Sequence, residues 1–243
     1  MHRRARHINP KSAGAVTALD PRFLSGLNDG DGITTFTSRT GTNSPTQSTA
    51  ANKPLYKVAI QGGCPAALCD ASSSAVGRFM TWSTSPISGA TAASVIYSYE
   101  RTGLAAGGGG APVLNFGNPF NEDHDPYSGT TSYLSFASTT RQSFTTAAQN
   151  VDTITTIVSK ASLWKVLLNG TQSYSTTTNT VAVGGSPRIG ANNYIRPDGT
   201  TDATAYYWQG YLHAVQVYNF ELLDPLRKRL EHAIAFSFKI KSN

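Results

Sequence analysis

The richest chemistry in the chain lies in four consecutive residues, Glu122, Asp123, His124 and Asp125, set between Pro119 and Pro126. In an extended segment alternate side chains share a side. Asp123 and Asp125 can therefore converge and, with backbone carbonyls, hold Ca²⁺. Calcium takes roughly six to eight oxygens, and two carboxylates supply a minority of them, so a solvated polar turn is the competing reading. A nucleophilic site finds no support: G-x-S-x-G is absent and the five histidines are scattered. The run Gly107 to Gly110 lacks the Lys-Ser/Thr that completes a phosphate loop.

Cys64 and Cys69 lie in a segment that reads as a short strand. Five extended residues span roughly 17 Å, whereas a disulfide needs Cα atoms within about 7 Å. Two buried thiols are expected. Aromatic residues gather at Tyr194, Tyr206, Tyr207, Trp208 and Tyr211. An exposed ring face can stack on a sugar ring. Tyr194, in the turn-rich run Asn192 to Gly199, and Tyr207 are the glycan-binding candidates beside Asp123 and Asp125, and Trp208 is assigned to the core.

Charge is sparse and placed at the ends. Charged residues make up 14% of the chain, against about 25% in ordinary domains, and hydroxyl and β-branched residues take their place, which favours strands over exposed helices. Residues 1–11 and 227–243 each carry a net +4, leaving −2 for the body. Arg3, Arg4, Arg6 and Lys11 thus form a docking candidate for an acidic partner. No segment has the length and apolarity of a membrane span, and residues 8–19 lack the apolar run of a signal peptide.

The elements that would position these residues are strands. Turn signals recur at Gly62-Gly63, Ser88-Gly89, Asn118-Pro119, Ser128-Gly129 and Asn169-Gly170. Between them lie the β-type runs 94–99, 132–136, 153–159, 164–168, 180–183 and 208–218. Asn169-Gly170 predicts a type I′ hairpin. In Trp208 to Tyr218 the apolar phase changes, which predicts a bulge near His213 and Ala214. One helix closes the chain, about residues 224–236, with Asp224 as its cap and Pro225 in its first turn. Leu226, Leu230 and Ile234 form its apolar stripe, and Arg227, Lys228 and Glu231 fall largely on the solvated side. The expected organisation is a basic N-terminal arm, residues 1–16, followed by one domain, residues 17–243. The fold class is all-β: a two-sheet antiparallel sandwich with one C-terminal α-helix.

Six short matches in order carry a resemblance. They are Leu19-Asp20-Pro21-Arg22-Phe23-Leu24 through Gln47, Lys53-Pro54-Leu55-Tyr56, Cys64 to Asp70, the Asn169-Gly170 hairpin, Ser186 to Gly190, and Trp208-x-Gly210-x-Leu212 through Leu223 to Arg227. Together, over about residues 18–238, the chain resembles concanavalin A-like (laminin-G-like) jelly-roll domains of the bacterial and phage type. Phe36 stands where that pattern has Trp, and Ala214 where it has Glu. The resemblance implies two stacked sheets of about six or seven strands each, with the chain ends close together, and rim-loop calcium in many members. Hydrolases of this fold use E-x-D-x-x-E to set two carboxylates about 5.5 Å apart. Here the closest glutamates, Glu221 and Glu231, are ten residues apart, so no paired-carboxylate motif is present.

Two functions are expected from different classes. The first is a non-enzymatic virion structural accessory, a capsid decoration or fibre-like protein on the virion surface. Its lectin-like sandwich would bind a cell-surface glycan and its basic arm would dock on the virion shell, within an oligomer or larger assembly. The second is a free, extracellular carbohydrate-binding module or glycoside-hydrolase-related domain.

Overall fold

The structure is a computed structural model, which describes residues 8–73, 76–103, 111–116, 123–128, 130–183, 187–192 and 206–241. Its strands in chain order are β1 (Thr17–Leu19), β2 (Leu55–Gln61), β3 (Cys64–Cys69), β4 (Ala71–Ser73), β5 (Val76–Gly77), β6 (Met80–Thr81), β7 (Ala92–Arg101) and β8 (Leu114–Asn115). They continue with β9 (Thr131–Leu134), β10 (Gln142–Thr145), β11 (Asp152–Lys160), β12 (Leu163–Leu168), β13 (Thr171–Thr176), β14 (Arg188–Ile189) and β15 (Gly210–Tyr218). The helix α1 (Asp224–Phe238) follows.

One large antiparallel sheet, in the order β13-β12-β11-β7-β15-β3-β2 with β1 also on β15, carries the fold. Its central strands alternate between two apolar surfaces, as the two-residue period of a strand requires. Val95, Tyr97 and Tyr99 of β7 join Trp164, Val166, Val215 and Val217 in the main core. Ile96, Ile154, Ala214 and Tyr218 point the other way, against Leu230, Ile234 and Phe238 of α1. The main core is closed by a second layer bearing Met80, Trp82, Phe116, Phe136 and Phe144. The all-β sandwich read from the sequence is the fold. The second layer, however, is assembled from pieces: the three-stranded β6-β14-β8, the hairpin β9-β10 and the pair β4-β5. Four of these strands, β5, β6, β8 and β14, are two residues long.

Local chemistry explains the details. Asn169 and Gly170 both have positive φ, 48° and 82°, the type I′ turn expected between β12 and β13. The β15–β7 register shifts between Leu212 and Ala214, so His213 is the extra residue of a bulge that puts Leu212, Val215 and Val217 on one surface. Cys64 and Cys69 end β3 as free thiols. Burial, with Asp70 adding to it, pushes the Cys69 thiol up to about 12, so it stays protonated. The run 180–183 is no strand; Thr180 accepts one backbone bond, from Thr139.

The helix departs from its expected wiring. Leu223 occupies the cap position. The Asp224 carboxylate instead accepts from Arg227 Nε at 3.1 Å and Lys165 Nζ at 3.3 Å, which holds it below its ordinary range, the Arg227 bond foremost. Arg227 and Glu231, expected on the solvated side, are 2% and 5% exposed. Arg227 Nη1 donates to both Glu231 oxygens at 2.7 and 2.6 Å, and Thr156 of β11 donates to Glu231 at 2.6 Å. The helix presses so flatly on the sheet that even its flanking charged pair is enclosed, and pairing makes that burial tolerable. At the other end Lys239 adopts φ 55° and Ile240 donates back to the Ala235 carbonyl at 2.9 Å, which ends the helix.

Residues 8–16, the second half of the expected arm, are folded onto the domain. Ala15 is buried, Ile8 and Ala13 pack beside α1, and Val16 donates to the Val217 carbonyl at 2.8 Å. Arg3, Arg4 and Arg6 lie outside the described residues, and Lys11 is exposed. Replacing Arg227 with Ala leaves the Glu231 charge buried without its partner. Urea unfolding is expected to show a loss of about 3–5 kcal/mol, with little change in the far-UV spectrum of the native state.

Candidate functional site: an aromatic patch over buried carboxylates

Residues 123–125 run antiparallel to β9. His124 and Tyr133 exchange backbone bonds of 2.8 and 2.7 Å. Asp123 and Asp125 therefore share the inward side and His124 the outward side. The two carboxylates do converge, but neither is solvated: Asp123 is 1% and Asp125 3% exposed. This overturns the reading of a solvated turn. Ser135 donates to Asp123 at 2.8 Å and Ser132 to Asp125 at 2.6 Å, with Thr146 at 3.4 Å from Asp125.

Burial dominates the electrostatics. It lifts the Asp123 carboxyl to about 7 against the hydrogen bonds from Ser135 and the attraction of Arg141, and Asp125 adds to the rise. Burial also raises Asp125, opposed by Ser132, Arg101 and Thr146. The phenols of Tyr97 and Tyr99 are raised by burial, and next by the field of Asp125. These groups form one buried cluster whose members feel one another's fields. Among the described residues no cluster of three or more His, Cys, Asp or Glu side chains is placed to hold a metal. Two carboxylates whose oxygens already accept from hydroxyls fall short of a calcium cage.

The outward side is different. Tyr127 follows the Asp125-Pro126 bond and is 51% exposed. Its ring meets Tyr133 edge-on with centroids 4.9 Å apart, and His124 at 5.3 Å. His124 in turn meets Tyr206 at 5.5 Å, and the Arg141 guanidinium lies 4.7 Å from the Tyr133 ring centre. Edge-to-face contacts hold the rings at fixed angles. The patch therefore offers a rigid, half-exposed phenol with a cation alongside. It can stack on an apolar sugar face and donate hydrogen bonds to hydroxyls.

The sequence candidates are distributed unevenly around this patch. Asp123 and Asp125 lie directly beneath it. Tyr207 is 6% exposed, its ring packed across Gly77 and beside Phe79 at 5.9 Å. No side chain fits at Gly77, because a Cβ there would collide with that ring. Tyr207 is thus core and presents no open ring face. Tyr194 lies outside the described residues. Trp208 is core, as expected, at 1% exposure. Tyr127, Tyr133 and Arg141 were missed; the available signal was a tyrosine in the turn Pro126-Tyr127-Ser128-Gly129, directly after the acidic run.

No protein-family model and no curated protein matches the chain. Solved structures do match in shape. A sialidase of Trypanosoma rangeli, bound to a difluorinated nononic acid, superposes with a TM-score of 0.55 at 10% identity over 95% of this chain and 34% of its own. A structure of botulinum neurotoxin type C gives 0.60 at 10% identity over 92% of this chain and 52% of its own. Domain 4 of AbnA, a GH43 extracellular arabinanase of Geobacillus stearothermophilus, bound to arabinotriose, gives 0.52 at 12% identity over 91% and 98%. The likeness is one of fold. All three matches are β-sandwiches, and this chain spans about a third of the sialidase and half of the toxin chain.

The buried acid gives the site a pH signature. An unfolded aspartate titrates near 3.9 and Asp123 in the native protein near 7. Between these values the native state binds more protons, so stability falls as pH rises through this window and levels above it. Asp123→Asn keeps an acceptor for Ser135 and removes the charge. Thermal melts are expected to show the variant more stable at pH 8, by roughly 2–4 kcal/mol, with the difference gone at pH 4.

Proposed function

We propose that this chain is a non-enzymatic glycan-binding β-sandwich whose ligand is held at the Tyr127 patch. The observation that carries this reading is a phenol ring left 51% exposed yet fixed edge-on by Tyr133 and His124. Single exposed aliphatic side chains need no explanation, but a rigid aromatic surface with polar tips is what sugar recognition uses. The fold neighbours lend support. The toxin's cell entry is described as dependent on two ganglioside molecules, a related toxin binding domain was solved with a sialylated ligand, and the arabinanase domain holds arabinotriose. The enclosed state of Asp123 and Asp125 supports a non-enzymatic role, since buried carboxylates capped by serines have no route to a glycosidic bond.

The finer reading places the domain on a larger assembly, as a capsid decoration or fibre-like accessory at the virion surface. Its basic end would dock on the shell and its aromatic patch would face outward. Support comes from the packing of residues 8–15 beside α1, which joins the basic N-terminal segment to the basic helix face, on the side of the large sheet opposite the β9–β10 layer. The extracellular carbohydrate module is the alternative, and it shares the glycan site.

Tyr127→Ala removes the ring at an exposed position, so the fold should persist. A glycan array followed by titration is expected to find retention by the native protein and a loss of roughly tenfold, about 1.4 kcal/mol, in the variant. No retention on any glycan overturns the reading.

A further inference from the structure

On the α1 side of the sheet, a cleft opens between the N-terminal segment, β1 and the last turns of the helix. It is lined by Ile8, Pro10, Asp20, Arg22, Arg39 and Ser237 among others. Asp20 is 4% exposed. Arg22 engages it in a two-pronged pair, with Nε to Oδ1 at 2.9 Å and Nη2 to Oδ2 at 2.6 Å. Such forked pairing uses both carboxylate oxygens. Arg39 reaches the same carboxylate with one nitrogen at 3.8 Å, beyond hydrogen-bond distance. Among the described residues its guanidinium makes no side-chain hydrogen bond. Two guanidiniums thus share one carboxylate, and among the described residues no other acid lines the cleft.

Arg39 is held in place despite that imbalance. Its guanidinium lies 3.9 Å from the centre of the Phe23 ring, and its side chain is 17% exposed. Burial lowers its pKa, with Asp20 opposing and Arg22 adding to the effect, as expected of a cation whose water has been removed without full compensation. The rim is basic as well. Arg229 sits one turn before Ala233, which lines the cleft, and Lys11, Lys239 and Lys241 are exposed nearby along the chain. Burial of Glu231 against Arg227 leaves Lys228, Arg229 and His232 as the charged and titratable groups of the outer helix face beyond Asp224, which is exposed at the first turn and paired with Lys165 and Arg227. A second copy of this face would be repelled by it.

We propose that this cleft receives a carboxylate from an acidic segment of a partner protein, with Arg39 as its ligand. The cleft is narrow, with space of about 20 Å³ for water-sized groups, which suits the tip of a small polar group at Arg39 better than an enclosed ring. A desolvated arginine at the centre, phenyl rings beside it and lysines at the edge form the usual anatomy of a protein interface. The inference deepens the docking half of the proposed function and rests on it; it does not depend on the glycan site.

The test uses the full chain with fluorescently labelled poly-L-glutamate, read by anisotropy. Inorganic phosphate, duplex DNA and phosphatidylserine vesicles are the other arms. Poly-L-glutamate is expected to bind in a salt-sensitive manner, and Arg39→Gln to weaken it about tenfold or more. The exposed pair R229E/K241E, which spares the core, should weaken binding severalfold with glycan retention unchanged. Binding of poly-L-glutamate that is indifferent to Arg39→Gln overturns the cleft and leaves docking by the basic ends standing. Absence of poly-L-glutamate binding overturns both, and Arg39-dependent binding of phosphate, DNA or vesicles in its place overturns the choice of partner.

Discussion

The large sheet of this protein is apolar on both surfaces, and the rest of the structure follows from the need to cover them. In β7, every residue from Ala93 to Tyr99 is buried, and in β11 every residue from Thr153 to Ser159. An antiparallel sheet more often leaves one side to water. Here alternate positions feed two separate cores, one aromatic and one built from Ile96, Ile154, Ala214 and Tyr218. Neither can be left exposed, since each large side chain is worth about 1.5–3 kcal/mol in burial. The helix α1 is therefore part of the core. Ser94 ties it in from the sheet: its hydroxyl donates to the Phe220 carbonyl and accepts from the Leu222 amide, both at 2.9 Å, just where the chain turns toward the helix.

Covering the two surfaces with different materials gives the molecule two ends with different chemistry. The aromatic surface is covered by short strand pieces joined by loops, and loops can present side chains such as Tyr127. The opposite surface is covered by a helix and a folded N-terminal segment, which among the described residues present Lys11, Lys228, Arg229 and Lys239 to solvent. Four acids are enclosed within the fold: Glu231 with Arg227, Asp20 with Arg22, and Asp123 and Asp125 with serine hydroxyls. Charge selection thus arises from where the acids are hidden as much as from where the bases are placed.

Local patterns were readable in advance and tertiary partnerships were not. The Asn169-Gly170 hairpin, the strand at Cys64–Cys69 and the bulge at His213 each follow from rules that act within a few residues. The fate of Glu231 does not. A helix pattern assumes a narrow apolar stripe, whereas α1 lies on a broad sheet with Thr156 ready to donate to the carboxylate, so the flank is buried too. The Asp123 and Asp125 alternation was legible, but the serines that receive the pair, Ser132 of β9 and Ser135 just after it, come from another segment. Tyr207 reads like any tyrosine in a polar run, and only the missing side chain at Gly77 makes room for its ring in the core. Tyr127 is the converse case, a tyrosine in a polar turn whose ring stays 51% exposed among the described residues.

The central claim is that α1 and the sheet form a single cooperative unit. Native-state hydrogen exchange across α1, β7, β11 and β15 tests it most directly. If the helix is a covering layer that the sheet cannot do without, amides from Arg227 to Phe238 will exchange with the same opening free energy as the central strands and respond equally to denaturant. Exchange of the helix through a low-energy opening, while β7 and β11 keep their full protection, would contradict the account.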